Sequence, residues 1–304
     1  MTEQVYASGR ALWQAVTERA RAAARASGRP PSEYVRRFVF SRFLARVFAE
    51  SDSPWVLKGG TAVLVRVHDA RHSKDIDLMH SLGNLDDAVD ALRAALTPDL
   101  GDHFRFVVLS VRDAGDTDQQ PYVNGARVAI EAYCGNSKVD AFGVDLVTGS
   151  LMTTAPDVEP SNPPLTLPGI AAPLVRLYPV VDHIADKVCA TETTYGNGRG
   201  SSRPRDLVDL VIFARTQRID GTALHEAIRA ERAIRHLPAR THFTVPGAWE
   251  STYPPLARQT PPSADLTTTA AAVRLVAAML DPAMAADSIG QTWDPATATW
   301  VPGT

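Results

Sequence analysis

The fold is decided by one stretch, KGGTAVLVRVHDARHSKDIDL, residues 58–78. A short apolar strand, residues 55–58, is predicted to end at Gly59-Gly60, and a helix is predicted to follow over residues 61–68. Glycine lets backbone N–H groups approach a ligand closely, and the first turn of a helix leaves such donors unpaired. Together with the helix dipole, these donors can bind a phosphate group. Gly-Gly-Thr alone is a weak signal, because ordinary tight turns share it.

Two carboxylates lie near the end of this stretch. Asp75 and Asp77 are two residues apart on a predicted strand, residues 74–79, so both side chains project from one face. Two such carboxylates can jointly hold a pair of magnesium ions, about 3.5–4 Å apart in two-metal phosphoryl-transfer sites. An Asp-x-Asp pair in isolation is more typical of an exposed edge strand. Its position after a glycine turn that opens a helix indicates binding of a nucleoside triphosphate with metals.

Length and composition indicate a globular protein. The chain has 304 residues, of which 45% are hydrophobic, and this fraction argues against general disorder. A net charge of −3 excludes a highly basic protein of the histone type. Two widely separated cysteines, Cys134 and Cys189, argue against a disulfide scaffold or a cysteine-built zinc site. No segment reaches the ~18 apolar residues of a membrane span, so we expect a soluble, cytoplasmic protein with no membrane partner.

The pattern along the chain predicts an α/β half followed by an α-helical half. The first half is predicted to contain three further helices, residues 10–28, 32–50 and 84–96. It is also predicted to contain three further strands, residues 104–111, 127–133 and 137–148, the last with a break at Gly143. Four helices are predicted in the second half, residues 180–194, 204–216, 221–236 and 263–280.

A proline-rich connector, residues 156–173, separates these halves, because proline blocks both helices and central strands. The predicted domains are therefore residues 1–155, with the N-terminal helices and the core, and residues 156–304. The second domain comprises the connector and a helical part that completes the active site.

The chain resembles a known family at four places. It is similar to the AbiEii/AbiGii-type nucleotidyltransferase toxins, distant relatives of DNA polymerase β. Their motif Lys-Gly-Gly-[Ser/Thr]-Ala is matched by residues 58–62, and their motif Arg-x-[Ser/Thr]-x-Asp-[Ile/Leu]-Asp is matched by residues 71–77. Their helix with a motif lysine is matched by DHIADKVCA, residues 182–190. Their arginine-rich loop and Asp-containing helix are matched by RPRDLVDL, residues 203–210, although Pro204 departs from the pattern. The resemblance covers roughly residues 35–255.

The resemblance implies a fold and a set of site residues. The fold is α/β (α+β), a polymerase β-like nucleotidyltransferase core with a mixed sheet, followed by the helical half. The implied catalytic residues are Asp75, Asp77, Lys187 and Asp209. The implied nucleotide-binding residues are Lys58, Gly59, Gly60, Thr61, Arg71 and Ser73. The implied metal ligands are Asp75, Asp77 and, from a neighbouring strand, Asp145, with Asp140 and Glu131 as alternatives. Asp206 is expected to pair with an arginine or cap its helix.

The implied activity is transfer of a nucleoside monophosphate from a nucleoside triphosphate to a hydroxyl group, with Mg²⁺ at a two-metal site. The implied acceptor is RNA, in particular the 3′ end of a tRNA, so that translation and growth stop. The implied partner is an antitoxin, as in a type IV toxin–antitoxin or abortive-infection pair. RNA binding requires basic residues near the site, and the candidates are Arg36, Arg37, Arg42, Arg46, Arg199, Arg203, Arg205, Arg229, Arg232 and Arg235.

Two other functions remain open. A protein side chain or a small molecule could be the acceptor within the same fold. A non-catalytic nucleotide- or RNA-binding module is the third hypothesis. Asp75, Asp77 and Lys187 argue against it, because binding alone does not require paired carboxylates.

Overall fold

The computed structural model describes residues 5–81, 83–113, 124–194, 198 and 200–303. Two helices come first, α1 (Gly9–Ser27) and α2 (Pro31–Val47). The side chain of Ser8 caps the start of α1, and Gly28 ends that helix in the left-handed conformation. Pro31 opens α2 at a position where its missing N–H has no helical partner to lose. Both helices lie within a few residues of the predicted ranges.

A seven-stranded mixed sheet forms the centre of the protein. Its strands are β1 (Trp55–Lys58), β2 (Ile76–His80), β3 (Phe104–Asp113), β4 (Asn124–Cys134), β5 (Ser137–Thr148), β6 (Asp157–Pro160) and β7 (Leu174–Leu177). Their spatial order is β3-β4-β5-β2-β1-β7-β6. β2 pairs with β5, and β1 with β7, in parallel, whereas the other neighbours are antiparallel. The predicted mixed sheet is therefore confirmed.

The predicted break in β5 is wrong. Gly143 pairs with Ala129 of β4, and the strand continues through it. The glycine has a packing role, because a Cβ atom there would lie 2.2 Å from Cζ of Arg127. The absence of a side chain at Gly143 therefore makes room for Arg127 on the neighbouring strand β4.

The proline-rich connector contributes to the sheet. β6 pairs with β7, and β7 pairs with β1, so the sheet extends beyond the predicted boundary at residue 155. Pro160 is tolerated because it lies at the end of β6, which is an edge strand.

The second half of the chain is mainly helical. It contains α5 (Val180–Glu192), α6 (Arg205–Thr216), α7 (Gly221–Ile234), α8 (Trp249–Arg258) and α9 (Thr269–Met284). α8 was not predicted, because Pro254 and Pro255 lie inside it. A small sheet was also not predicted, and its strands are β8 (Ile219–Asp220), β9 (Gln291–Asp294) and β10 (Thr299–Pro302). None of the described helices is long and apolar enough to cross a membrane.

The first half of the chain contains two further helices, which pack beside the sheet, α3 (Gly59–Arg66) and α4 (Leu85–Ala95). α3 follows β1 without a loop and contacts two hydrophobic cores. Its Ala62 and Val65 belong to the core on the sheet, and its Val63 and Leu64 belong to the core of the helical half. α3 therefore fixes the start of the helical half against the end of β1.

Candidate active site

A cleft of about 1040 Å³ lies where the sheet meets the helical half. One wall, the acidic wall, is formed by the β1–α3 junction, the start of β2 and the part of β5 that pairs with it, with Gly59, Gly60, Asp75, Asp77 and Asp145. A second part of the lining, the basic wall, is formed by α5, the start of α6 and the segment before β2, with Arg71, Lys187, Arg203, Arg205 and Asp206. The α1–α2 turn and α8 complete the lining.

Sheet pairing brings the three predicted metal ligands together. Asp77 of β2 and Asp145 of β5 are paired in register on parallel strands, so their side chains share a face. Asp75 immediately precedes β2. Burial, with a smaller contribution from Asp145, raises the pKa of Asp77 to about 6. The rise shows that the negative charge of Asp77 is poorly compensated in the folded protein.

Arg127 lies between two of these carboxylates and was not predicted. Its guanidinium contacts Asp75 and Asp145, each over 2.6 Å. The arginine lies opposite Asp145 in the antiparallel pair of β4 and β5. The sequence shows a basic residue on the predicted strand before that of Asp145. Its contact with the carboxylates could be inferred only once the pairing of β4 with β5 was known.

The donor chemistry of the acidic wall suits a divalent cation. Magnesium takes carboxylate oxygens, and three carboxylates lie at neighbouring positions here. Asp75 and Asp145 already share one cation, the guanidinium of Arg127. Within the described part of the chain, no three Asp, Glu, His or Cys side chains converge closely enough to hold a metal ion. The carboxylates therefore suit a metal by their chemistry and by their neighbouring places in the sheet, but in this conformation they do not converge on one point, and two of them are engaged by an arginine.

The β1–α3 junction places Gly59 against Asp77 and Gly60 against Arg71 and Ser73. Gly59 has a φ of 60°, and a Cβ atom there would lie 1.9 Å from Oδ2 of Asp77. Glycine is therefore required both by the backbone and by the carboxylate. The Thr61 and Ser73 hydroxyls each donate to the backbone carbonyl of Asp75, over 2.9 Å. These two predicted nucleotide-binding residues thus fix the position of Asp75.

Lys58 does not line the cleft. Its Nζ donates to the Ser150 hydroxyl over 3.0 Å and lies 4.2 Å from the ring centroid of Tyr178. Burial lowers the pKa of Lys58. The structure therefore places the Lys58 amine against Ser150 and Tyr178 and not on the lining of the cleft.

A buried ionic cluster forms the base of the basic wall. Asp209 is fully buried and binds Lys187 over 2.7 Å and Arg71 through two bonds of 2.8 and 2.7 Å. Lys187 also binds Asp206 over 3.0 Å, and Arg203 contacts the same carboxylate. Burial alone would raise the pKa of Asp209, but Lys187 and Arg71 hold it well below its usual range. Asp209 thus acts through two cations, whereas Asp206 itself lines the cleft.

Five of the ten arginines that were candidates for a basic surface form ion pairs elsewhere. Arg42 and Arg46 of α2 are buried, and both form ion pairs with the buried carboxylate of Asp102. The other ion pairs are Arg36 with Asp140, Arg232 with Glu192, and Arg235 with Asp186 and Glu231. These five candidates therefore do not supply free positive charge to a basic surface, because carboxylates neutralise them.

The remaining candidates have different positions. Arg203 and Arg205 line the cleft, together with Arg29 and Lys74, which were not predicted. Arg37 contacts His68, and Arg229 is exposed on α7. Arg199 lies outside the described residues.

The alternative third carboxylates are not part of the cleft. Asp140 binds Arg36, and Glu131 binds Lys138 and the Tyr133 hydroxyl. Asp145 is thus the carboxylate that the sheet places next to Asp77.

The chain is similar to known proteins in structure and in sequence pattern. No curated protein matches the chain. Among solved structures, JHP933 from Helicobacter pylori is similar, with 17% identity, a TM-score of 0.44, and coverage of 84% of this chain and 94% of that chain. MenT4, a nucleotidyltransferase toxin from Mycobacterium tuberculosis H37Rv, is similar with 18% identity, a TM-score of 0.49, and coverage of 88% and 98%. The family model "Nucleotidyl transferase AbiEii toxin, Type IV TA system" matches residues 42–290, which include every residue of both walls of the cleft but not the α1–α2 turn. The chain therefore belongs to the AbiEii nucleotidyl transferase toxin family.

Proposed function

We propose that this protein transfers a nucleoside monophosphate from a nucleoside triphosphate to the 3′-terminal hydroxyl of a tRNA and releases pyrophosphate. One observation carries the proposal, namely a cleft whose lining combines a group of carboxylates, the acidic wall, with a group of cations, the basic wall. Asp75, Asp77 and Asp145 carry three negative charges against one positive charge of Arg127. Arg71, Lys187 and Arg203 carry three positive charges against two negative charges of Asp206 and Asp209. The first wall is suited to cations and the second to phosphates.

Asp75, Asp77 and Asp145 would hold Mg²⁺. When bound, magnesium would neutralise charge on the transferred phosphate and favour ionisation of the attacking hydroxyl. Asp77 has to be ionised to contribute, and its pKa of about 6 allows this at neutral pH. Thr61 and Ser73 support this role because they fix the backbone of Asp75.

The other side chains bind and orient the triphosphate. Gly59 and Gly60 expose the N-terminal backbone donors of α3 to the cleft, where phosphate oxygens can accept hydrogen bonds. Lys187 and Arg71 neutralise the phosphates or the departing pyrophosphate. Asp209 sets the position of both cations, because it binds each of them while fully buried. Catalysis then depends on positioning and electrostatic stabilisation.

An RNA acceptor is supported by cations on the cleft lining. Arg29, Lys74, Arg203 and Arg205 lie around the cleft and can contact a sugar–phosphate backbone. Nucleotide addition to the 3′ end of a tRNA would prevent its aminoacylation and thereby stop translation and growth. A cognate antitoxin would then be needed to protect the host cell.

The test uses purified protein, Mg²⁺, total tRNA and each α-labelled nucleoside triphosphate in turn. We expect label on tRNA with one nucleotide, and no label on tRNA whose 3′ terminus has been oxidised with periodate. Asp75→Ala should abolish transfer, whereas Asp52→Ala, an exposed carboxylate in a turn, should not. Label on protein or small molecules would reassign the acceptor. Nucleotide binding without any transfer would favour a binding module.

A further inference from the structure

Arg127 occupies two of the carboxylates that a divalent cation would bind at the acidic wall. Its guanidinium contacts one oxygen of Asp75 and one oxygen of Asp145, each over 2.6 Å. A divalent cation held by the same carboxylates needs oxygens from the same residues. Because the guanidinium neutralises part of their charge, it lowers their affinity for a second cation.

The position of Arg127 is built into the sheet. The residue lies opposite Asp145 in the β4–β5 pair, and Gly143 leaves the space that the guanidinium occupies. Its side chain is also 41% exposed, which leaves it a path away from the carboxylates. The arginine is therefore fixed at its backbone but can move at its charged end.

We propose that Arg127 couples metal binding to nucleotide binding. This inference rests on the proposed function. In the free protein, Arg127 binds Asp75 and Asp145 and keeps the affinity for a divalent cation low. When nucleotide and cation enter together, the cation takes the carboxylates, and the released guanidinium gains a phosphate of the nucleotide as its new partner. Each ligand thereby raises the affinity for the other, since binding free energies are reciprocally coupled.

The experiment measures Mn²⁺ binding by electron paramagnetic resonance, with and without a non-hydrolysable nucleoside triphosphate analogue. Arg127→Met should bind Mn²⁺ about tenfold more tightly than the wild type without nucleotide, because it removes a partly exposed pair of charge-assisted hydrogen bonds. The gain in Mn²⁺ affinity on adding nucleotide should shrink in this variant. Arg127→Lys, which keeps the charge but not the fork, should lie between the two.

Arg112→Met is the matched control. Arg112 is exposed and lies opposite Arg127 in the β3–β4 pair, so its loss removes a similar charge one strand further from the carboxylates. Its Mn²⁺ affinity should stay within about twofold of the wild type. Equal gains in the Arg127 and Arg112 variants would show a general charge effect and overturn the coupling.

The outcomes separate this inference from the proposed function. If the wild type binds Mn²⁺ with nucleotide and Arg127→Met binds it no more tightly without nucleotide, the coupling is wrong and the metal site remains. If no form binds Mn²⁺ under either condition, the metal-dependent function and the coupling both fail. Thermal unfolding of each variant checks folding, and Arg127→Lys keeps the test decisive if Arg127→Met does not fold.

Discussion

Replacing Asp77 by Asn is expected to stabilise the protein while abolishing its activity. Folding raises the pKa of Asp77 from 3.8 to about 6, by burial first and then by Asp145. Each unit of pKa corresponds to ~1.4 kcal/mol, so a fully buried carboxylate would destabilise the folded state at pH 7.5 by about 3 kcal/mol. Asp77 is only partly buried by accessible surface, and solvent screening reduces the expected gain for Asn to about 1–2 kcal/mol.

The pH dependence tests the physical cause. A carboxyl group whose pKa is raised on folding binds its proton more tightly in the folded state, so its destabilising effect appears as pH rises from about 4 to about 6. Urea denaturation should therefore show Asp77→Asn more stable than the wild type at pH 7.5 and nearly equal at pH 4. Asp52→Asn, at an exposed turn, should change stability at neither pH. An equal difference at both pH values would refute the reasoning.

Three further substitutions test other parts of the structure. Asp209→Asn leaves two buried cations without their shared partner, so urea denaturation should show a loss of about 3–5 kcal/mol, and nucleotide affinity should fall; unchanged stability would contradict the buried cluster. Gly59→Ala places a Cβ atom 1.9 Å from a carboxylate oxygen of Asp77 and strains the backbone, so the proposed transfer to tRNA should be lost. Retained transfer would show that the backbone at residue 59 adapts to a side chain. Asp102→Asn removes the charged partner of two buried arginines that do not line the cleft. Thermal unfolding should therefore show a loss of stability similar to that of Asp209→Asn. A larger effect on nucleotide affinity than on stability would contradict the structural role of Asp102.

Local patterns were sufficient where the physical cause is local. The turn at Gly59 and the pair Asp75 and Asp77 were predicted because strand ends, glycines and alternating carboxylates are visible over a few residues. Sequence alone could not separate the roles of Thr61 and Ser73, because their hydroxyls could donate either to a phosphate or to the backbone. In the structure both donate to the carbonyl of Asp75.

Sequence patterns were misleading where tertiary packing or ion pairing outweighed a local preference. Two prolines argued against α8, yet tertiary packing keeps the helix, with Trp249 and Tyr253 buried in the second core. Gly143 argued for a break in β5, yet its missing side chain serves the packing of Arg127. Charge alone argued for a basic surface, but Arg42 and Arg46 bind Asp102, 60 and 56 residues away along the chain.

The amino-acid sequence by itself determined the family and the stretch that supplies most of the acidic wall, since these follow from motifs, and the resemblance to the family implied the mixed sheet. The tertiary structure decided which charges meet. It placed Asp145 beside Asp77, Arg127 between two carboxylates, and Asp209 between Lys187 and Arg71. Such pairings depend on strand order and helix packing, which bring residues up to 138 positions apart into hydrogen-bond distance.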